Sequence, residues 1–178
     1  MVQAFVSIGS NIDPARNVRA ALRTLTQRVE VSGISTVYLT PAEGRREQPP
    51  FYNCILEIST ETNPLDLKFR VLRPSEAALG RERTSDKYAP RTIDLDLVLY
   101  GDLVLNEKDL VLPDPEIYHR SFLVIPLAEL APELILPGSS MHISELAQRF
   151  GPMQPLESYT ESLREMLSLL KRSPLDRA

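Results

Sequence analysis

Two stretches of this chain alternate apolar and polar residues with a period of two, and that period leaves few folds open. From Phe51 to Ser59, Tyr52, Cys54, Leu56 and Ile58 fall on one side, and Phe51, Asn53, Ile55 and Glu57 on the other. Along the strand predicted at Thr92–Tyr100, Ile93, Leu95, Leu97 and Leu99 point inward while Asp94 and Asp96 point the other way. Half-buried strands of this kind need partners in a sheet and a core beneath one face. Val2–Ile8, rich in β-branched and aromatic residues, predicts a further strand, and Ser35–Leu39 another. A turn at Gly101-Asp102 leads to a short strand pair around Leu103–Leu112.

Helical patterns separate these strands. After a turn at Gly9-Ser10-Asn11, Asp13-Pro14 predicts a helix start, with Asp13 as N-cap, and Val18, Ala21, Leu22, Leu25 and Val29 recur at helical spacing. Asn63-Pro64 opens a second helix through Leu65, Phe69 and Leu72, which Pro74 should kink or restart before Gly80. Pro41–Pro50 and the polar segment Arg81–Pro90 read as loops. Ser121–Leu130 and Ile143–Phe150 read as helices, and the tail Leu156–Lys171 is amphipathic, with Leu163, Met166, Leu167 and Leu170 on one face. The expected class is α+β: a ferredoxin-like antiparallel sheet packed with helices in a two- to three-layer sandwich. Residues 1–155 are expected to form one domain, and residues 156–178 a helical tail attached to it.

Composition narrows the function. An apolar content of 43% and a charged content of 25% over 178 residues are those of one globular domain. The single cysteine, Cys54, excludes an intrachain disulfide and a cysteine zinc site, and two histidines leave little for any other zinc centre. No apolar run approaches the roughly 20 residues of a membrane span, and no signal-peptide pattern opens the chain, so a cytoplasmic protein is expected. The net charge is −4, yet residues 68–91 hold seven basic side chains (Lys68, Arg70, Arg73, Arg81, Arg83, Lys87, Arg91) against three acidic ones. An acidic protein is a poor general nucleic-acid binder, but a compact arginine-rich segment within it suits a small polyanion such as a triphosphate. A solvated basic loop would show the same composition.

Asp94 and Asp96 are the centre of the chemical argument. Their Cα atoms should lie about 6.5–7 Å apart on one strand face. Two such carboxylates repel, and a divalent metal relieves them; magnesium favours one or two carboxylates plus substrate phosphate oxygens. The wet face of an ordinary antiparallel strand would alternate in the same way. Arg91 and the arginine-rich loop favour the metal, because phosphate chemistry needs cation and anion sites side by side. Neither a P-loop nor a Gly-x-Gly-x-x-Gly run occurs.

The segment Ala89-Pro90-Arg91-x-x-Asp94-x-Asp96 resembles the signature of the 6-hydroxymethyl-7,8-dihydropterin pyrophosphokinases of folate biosynthesis. Further matches follow in order: Ile8-Gly9-Ser10-Asn11, Thr40-Pro41, Gln48-Pro49 before Phe51 and Asn53, Glu76 before Leu79-Gly80-Arg81, Arg120-x-Phe122, and Pro126-Leu127 with Ala131-Pro132. The resemblance implies transfer of a diphosphate group from ATP to 6-hydroxymethyl-7,8-dihydropterin with release of AMP. It implies two Mg2+ ions on Asp94 and Asp96, with Arg81, Arg83 and Arg91 on the triphosphate. Arg120 and Glu76 would contact the nucleotide, Tyr88 would stand in a lid, and Thr40, Pro41, Phe51, Asn53 and Phe122 would form the pterin site. Arg81, Arg91, Asp94 and Asp96 are the implied catalytic set. A monomer is favoured over a dimer, and no nucleic-acid or membrane partner is implied.

Three departures stand out. Pro113-Asp114-Pro115 replaces the family's usual Pro-His-Pro, and Pro74 interrupts a helix that usually runs unbroken toward Glu76. Arg73 precedes that proline at a position that contacts nucleotide in relatives, so an altered adenosine side is expected. An ionised Asp114 repels phosphate, so it is expected to turn away or to meet a cation, with Arg73 or Arg120 as candidates. Two other readings of paired aspartates remain at this stage: nucleotidyl transfer, as in ferredoxin-like palm domains, and a non-catalytic pterin- or nucleotide-binding module.

Overall fold

β1 (Val2–Ser10) is an interior strand of an antiparallel sheet. Along one side it pairs with β4 (Phe51–Thr60), from Val2↔Thr60 to Ser10↔Tyr52, and along the other with β5 (Asp94–Tyr100). The far side of β4 carries two strands in succession, β2 (Glu30–Ile34) and β3 (Tyr38–Thr40). The single strand expected at Ser35–Leu39 is therefore the junction between two strands. Ser35 sits at the join, where its N–H donates to the Ile55 carbonyl (3.0 Å) and its Oγ accepts from the Ile55 N–H (2.9 Å). A two-residue strand, β8 (Gln154–Pro155), completes the sheet against β3. The expected hairpin forms apart from it, as β6 (Leu105–Glu107) and β7 (Leu110–Leu112). The structure is a computed structural model that describes residues 1–42, 44, 47–86 and 88–171. Lys87 of the basic segment, residues 43, 45 and 46 of the first loop and residues 172–178 of the tail lie outside the described residues.

Helices cover both faces, giving three layers. On the first face, α1 (Pro14–Leu25) buries Val18, Ala21, Leu22 and Leu25 against Ala4, Val6, Ile8, Cys54, Leu56, Leu95 and Leu97. Asp13 precedes this helix in the left-handed conformation (φ 41°) and makes no side-chain cap, so Pro14 alone carries the expected start signal. Beside α1, one winding runs from α2 (Pro64–Asp66) through a π-helical stretch (Leu67–Leu72) into α3 (Arg73–Ala78). Asn63 caps it by accepting from the Asp66 N–H. Pro74 does not break this helix: the wider turn just before it absorbs the missing N–H and the proline ring. The tail forms α6 (Glu157–Lys171), which adds Leu163, Met166 and Leu167 to the same core, whereas Leu170 is exposed.

On the second face, α4 (Ser121–Leu130) and α5 (Ile143–Ala147, shorter than expected) pack Leu123, Val124, Leu127, Ile143 and Leu146 on Phe5, Ile55, Val98 and Leu99. Leu99 reaches this face because β5 bulges: Val6 opposes Leu97 while Phe5 opposes Leu99, and Val98 is the extra residue. One inserted residue inverts the alternation beyond it, so Leu99 leaves the side that holds Leu95 and Leu97. The second face is thus covered at one end only. At its other end stand Ser7, Gly9, Phe51, Asn53, Asp94 and Asp96.

Candidate active site

That uncovered end is the floor of a cleft with a cavity of about 350 Å³. Two rows cross it. Gly9 is the Cα partner of Asn53 on one side and Asp94 on the other, and Ser7 is likewise flanked by Ile55 and Asp96. Gly9 is part of β1, not the first residue of a turn, and its lack of a side chain matters. A Cβ there would come within 3.0 Å of Asn53 Oδ1 and 3.9 Å of the Asp94 Cβ. Asn53 is 93% shielded from solvent, and its Nδ2 donates to Thr40 Oγ1 at 2.6 Å. Thr40 and Pro41 from the end of β3 form one wall, and Phe122 and Leu123 from the first turn of α4 form another. Phe51 joins them, so all the residues expected at a flat aromatic substrate converge: Thr40, Pro41, Phe51, Asn53 and Phe122.

The remaining walls are polar. Tyr88, Ala89 and Arg91 reach in from one loop, Gln48 from another, and Asp114, Glu116 and Arg120 from the segment after β7. Asn11 ties the two loops to the end of β1. Its Oδ1 accepts from the Arg91 N–H (2.7 Å), and its Nδ2 donates to Gln48 Oε1 and the Pro49 carbonyl (3.3 Å each). Gln48 in turn donates to the Tyr88 carbonyl (2.7 Å). The Tyr88 ring, 41% exposed, lies over Gly44, where any Cβ would clash with it.

A second cavity of about 200 Å³ shares Ala89 and Arg91 with the first and is lined by Arg81, Glu82, Arg83, Thr84 and Asp86. Charge is concentrated along this junction. Arg91 Nη1 donates to Asp94 Oδ2, and Arg81 Nη2 lies 3.8 Å from Asp94 Oδ1. Arg81 Nε is buried without a hydrogen-bond partner, a donor available to an anion. Asp96 faces the cleft. Partial removal from water, then the neighbouring charges of Asp94, Glu76 and Asp114, raise its carboxyl to about 6. Asp94 and Asp96 are the residues that could hold a metal. No group of three or more His, Cys, Asp or Glu side chains is arranged to bind one among the described residues. The protein thus offers two hard oxygen donors, which fits an ion completing its shell with phosphate oxygens and water.

Two expectations change. Glu76 is 1% exposed and lines neither cavity; its Oε1 accepts from the Leu95 N–H (2.9 Å) and its Oε2 from Arg83 Nη2 (2.5 Å). It holds β5 between the two aspartates instead of facing a nucleotide. Asp114 caps the 3₁₀ turn Pro115–Tyr118 by accepting from the Glu116 N–H (2.9 Å), and the cation whose field reaches it is Lys68. Of the two candidates named for Asp114, Arg73 lies over the Phe69 ring at 5.6 Å, and Arg120 Nε donates to Glu116 Oε2 (2.5 Å). Ser7, Gly9, Gln48 and Glu116 also line the cleft, and Asn11 ties its loops. Gly9, Asn11 and Gln48 have a sequence signal only as motif matches without an assigned role, and the placing of Ser7 and Glu116 depends on the fold, which no local pattern encodes.

Comparison with known proteins places the chain. The sequence profile of the family described as 7,8-dihydro-6-hydroxymethylpterin-pyrophosphokinase (HPPK) matches residues 5–132. A 2-amino-4-hydroxy-6-hydroxymethyldihydropteridine pyrophosphokinase of Haemophilus influenzae is 33% identical over 84% of this chain and 94% of its own length. One of the same name from Methylorubrum extorquens is 37% identical over 79% of this chain and 90% of its own. A crystal structure of Plasmodium falciparum HPPK-DHPS shares the fold, with a TM-score of 0.62 over 84% of this chain at 14% identity; this chain spans 43% of that longer one.

Proposed function

The chain belongs to the 7,8-dihydro-6-hydroxymethylpterin-pyrophosphokinase family, and from that premise we propose how its cleft carries out the reaction. It transfers a diphosphate group from ATP to 6-hydroxymethyl-7,8-dihydropterin in folate synthesis. The observation that carries our reading is the floor row Asn53–Gly9–Asp94. It sets a pterin-recognising amide and a phosphate-side carboxylate on one sheet face, two strand spacings or about 10 Å apart.

The pterin ring enters between Phe51 and Phe122, which offer aromatic faces to a flat heterocycle. Asn53, held by Thr40, presents its Oδ1 over Gly9 to a ring N–H donor. This orientation directs the hydroxymethyl group toward Asp94 and Asp96 and the β-phosphorus of ATP. The hydroxymethyl oxygen attacks that phosphorus in line. The new O–P bond forms, the bond from the β-phosphorus to the bridging oxygen of AMP breaks, AMP leaves, and the hydroxyl proton is lost. Arg81 and Arg91, already gathered around Asp94, turn their donors to the phosphate oxygens, and Arg83 and Arg120 flank the nucleotide. Their contacts strengthen as charge spreads in the transition state. Asp94 and Asp96 would hold two magnesium ions, which supply charge neutralisation of the triphosphate and polarisation of its oxygens. Tyr88 and the loop around it close over the substrates and exclude water.

We also read the enzyme as cytoplasmic, with a monomer favoured over a dimer. No helix among the described residues is long and apolar enough to cross a membrane. The test is product analysis with ATP, dihydropterin alcohol and magnesium. AMP formation dependent on all three supports the reading. Release of inorganic diphosphate would instead indicate attack on the α-phosphorus and nucleotidyl transfer.

A further inference from the structure

We infer that Glu129, at the end of α4 and outside both cavities, is a positioning residue for the pterin, acting through β3. The inference rests on the assignment of Thr40, Asn53 and Phe122 to the pterin site.

Both oxygens of the Glu129 carboxylate are engaged by one short stretch of chain. The Thr36 N–H donates to Oε2 at 2.9 Å, and the Tyr38 hydroxyl donates to Oε1. Val37, between them, is held from elsewhere: its N–H donates to Thr160 Oγ1 of α6 (2.9 Å), and its carbonyl accepts from the Leu156 N–H (2.8 Å). Successive residues leading into β3 are therefore gripped by α4 and by the C-terminal segment. Pairing of Tyr38 with Pro155 and of Leu39 with Gln154 extends the grip to the last residue before Thr40. Thr40 then fixes the Asn53 amide.

The same carboxylate belongs to the helix whose first turn carries Phe122, seven residues or about 10 Å away. Glu129 thus ties two walls of the cleft together, β3 with Thr40 and Pro41 on one side and α4 with Phe122 and Leu123 on the other. Glu129 is solvent-exposed and absent from both apolar cores, so its removal leaves the packing of the fold in place. What its removal frees is the spacing of those walls and the orientation of the Asn53 amide. A displacement of about 1 Å in such positioning is enough to cost substantial rate or affinity.

The experiment compares Glu129→Ala, Glu129→Gln, Tyr38→Phe and the double variant Glu129→Ala/Tyr38→Phe with wild type. The readouts are KM for dihydropterin, KM for ATP, kcat and melting temperature. Glu129→Ala should raise the pterin KM about 3–10-fold while the ATP KM stays within about twofold. Glu129→Gln, which keeps one acceptor for the strand, should recover part of that loss. The double variant should be no worse than Glu129→Ala alone, since both changes break the same link. Equal shifts in both KM values, or a lowered melting temperature with both KM values unchanged, would overturn the inference and leave Glu129 a purely structural role. Asn53→Ala and Phe122→Ala serve as controls. If they raise the pterin KM and Glu129→Ala does not, this inference fails alone; if they do not, the pterin-site assignment falls and takes this inference with it.

Discussion

Removing the Glu76 carboxylate should loosen the strand that carries both aspartates. Glu76 is buried in α3, and Leu95, whose N–H it accepts, stands between Asp94 and Asp96. In Glu76→Ala that N–H is left buried and unpaired, which costs about 1–3 kcal/mol. Relief of a buried charge offsets part of this, so we take a loss of about 2 kcal/mol. For a domain of this size that corresponds to about 4–8 °C in Tm. Glu76→Gln keeps an acceptor for Leu95, and the half-exposed Arg83 can turn to water, so its loss should stay under about 1 kcal/mol. The pH dependence has a definite sign. Burial raises the Glu76 carboxyl, against the opposing effects of the Leu95 N–H and Arg83. A raised folded-state value means that the folded protein binds the proton more tightly. Its contribution to stability is therefore greatest at low pH and declines as pH rises from the unfolded to the folded value. The glutamine variant should lack this decline. Urea titrations at several pH values, with turnover measured in parallel, provide the assay. An alanine variant within 1 °C of wild-type Tm would refute the reasoning, and a selective rise in ATP KM at unchanged stability would return Glu76 to nucleotide contact.

Asp94→Ala and Asp96→Ala should each lower turnover by several orders of magnitude at saturating magnesium; retention of a tenth of wild-type rate, about 1.4 kcal/mol of barrier, would contradict the metal assignment. The Asp96 carboxyl is raised to about 6, so below that pH it holds a proton that a metal must displace. Magnesium affinity measured by calorimetry with a non-hydrolysable ATP analogue should therefore fall up to about tenfold per pH unit below that value, and Asp96→Asn should abolish this dependence. Gly9→Ala places a methyl group 3.0 Å from Asn53 Oδ1, so pterin binding by calorimetry should weaken about tenfold, with nucleotide binding little changed. Arg81→Ala and Arg91→Ala should reduce kcat more than they weaken ATP binding; single-turnover rates equal to wild type would limit both residues to ground-state anchoring.

The period-two alternation of Phe51–Ser59 and of Asp94–Leu97 was enough to place residues on the right sheet face, and the core helices followed from apolar spacing. Asp94 stood out in the sequence by its alternation with Asp96 beside Arg91, and Asn53 entered as a site candidate through the family resemblance. Their proximity was not legible, since it depends on β1 pairing with both strands in a register that puts Gly9 between them. The same limit explains Leu99, whose face is set by a bulge at Val98. It explains Glu76 as well: a glutamate suited to polar contact is, in three dimensions, a buried acceptor for a strand N–H. Pro74 was read correctly as a local problem, but its resolution as a π-helical stretch needed the packing of the whole helix.

The ends of the sheet have a consequence for how this protein behaves in a crowded solution. On β5, the Leu95 N–H is taken by Glu76, and the Val98 carbonyl accepts from the Asp114 N–H (2.9 Å). On β3, the outer hydrogen-bonding side is covered by β8, whose second residue is Pro155 and cannot donate to a further strand. The outer sides of β5 and β3 are therefore each engaged by other segments of the same chain. The C-terminal segment thus covers one edge of the sheet that would otherwise be open to pairing. A protease cut before Gln154 would bare the outer side of β3, and the first symptom would be precipitation of the cleaved protein.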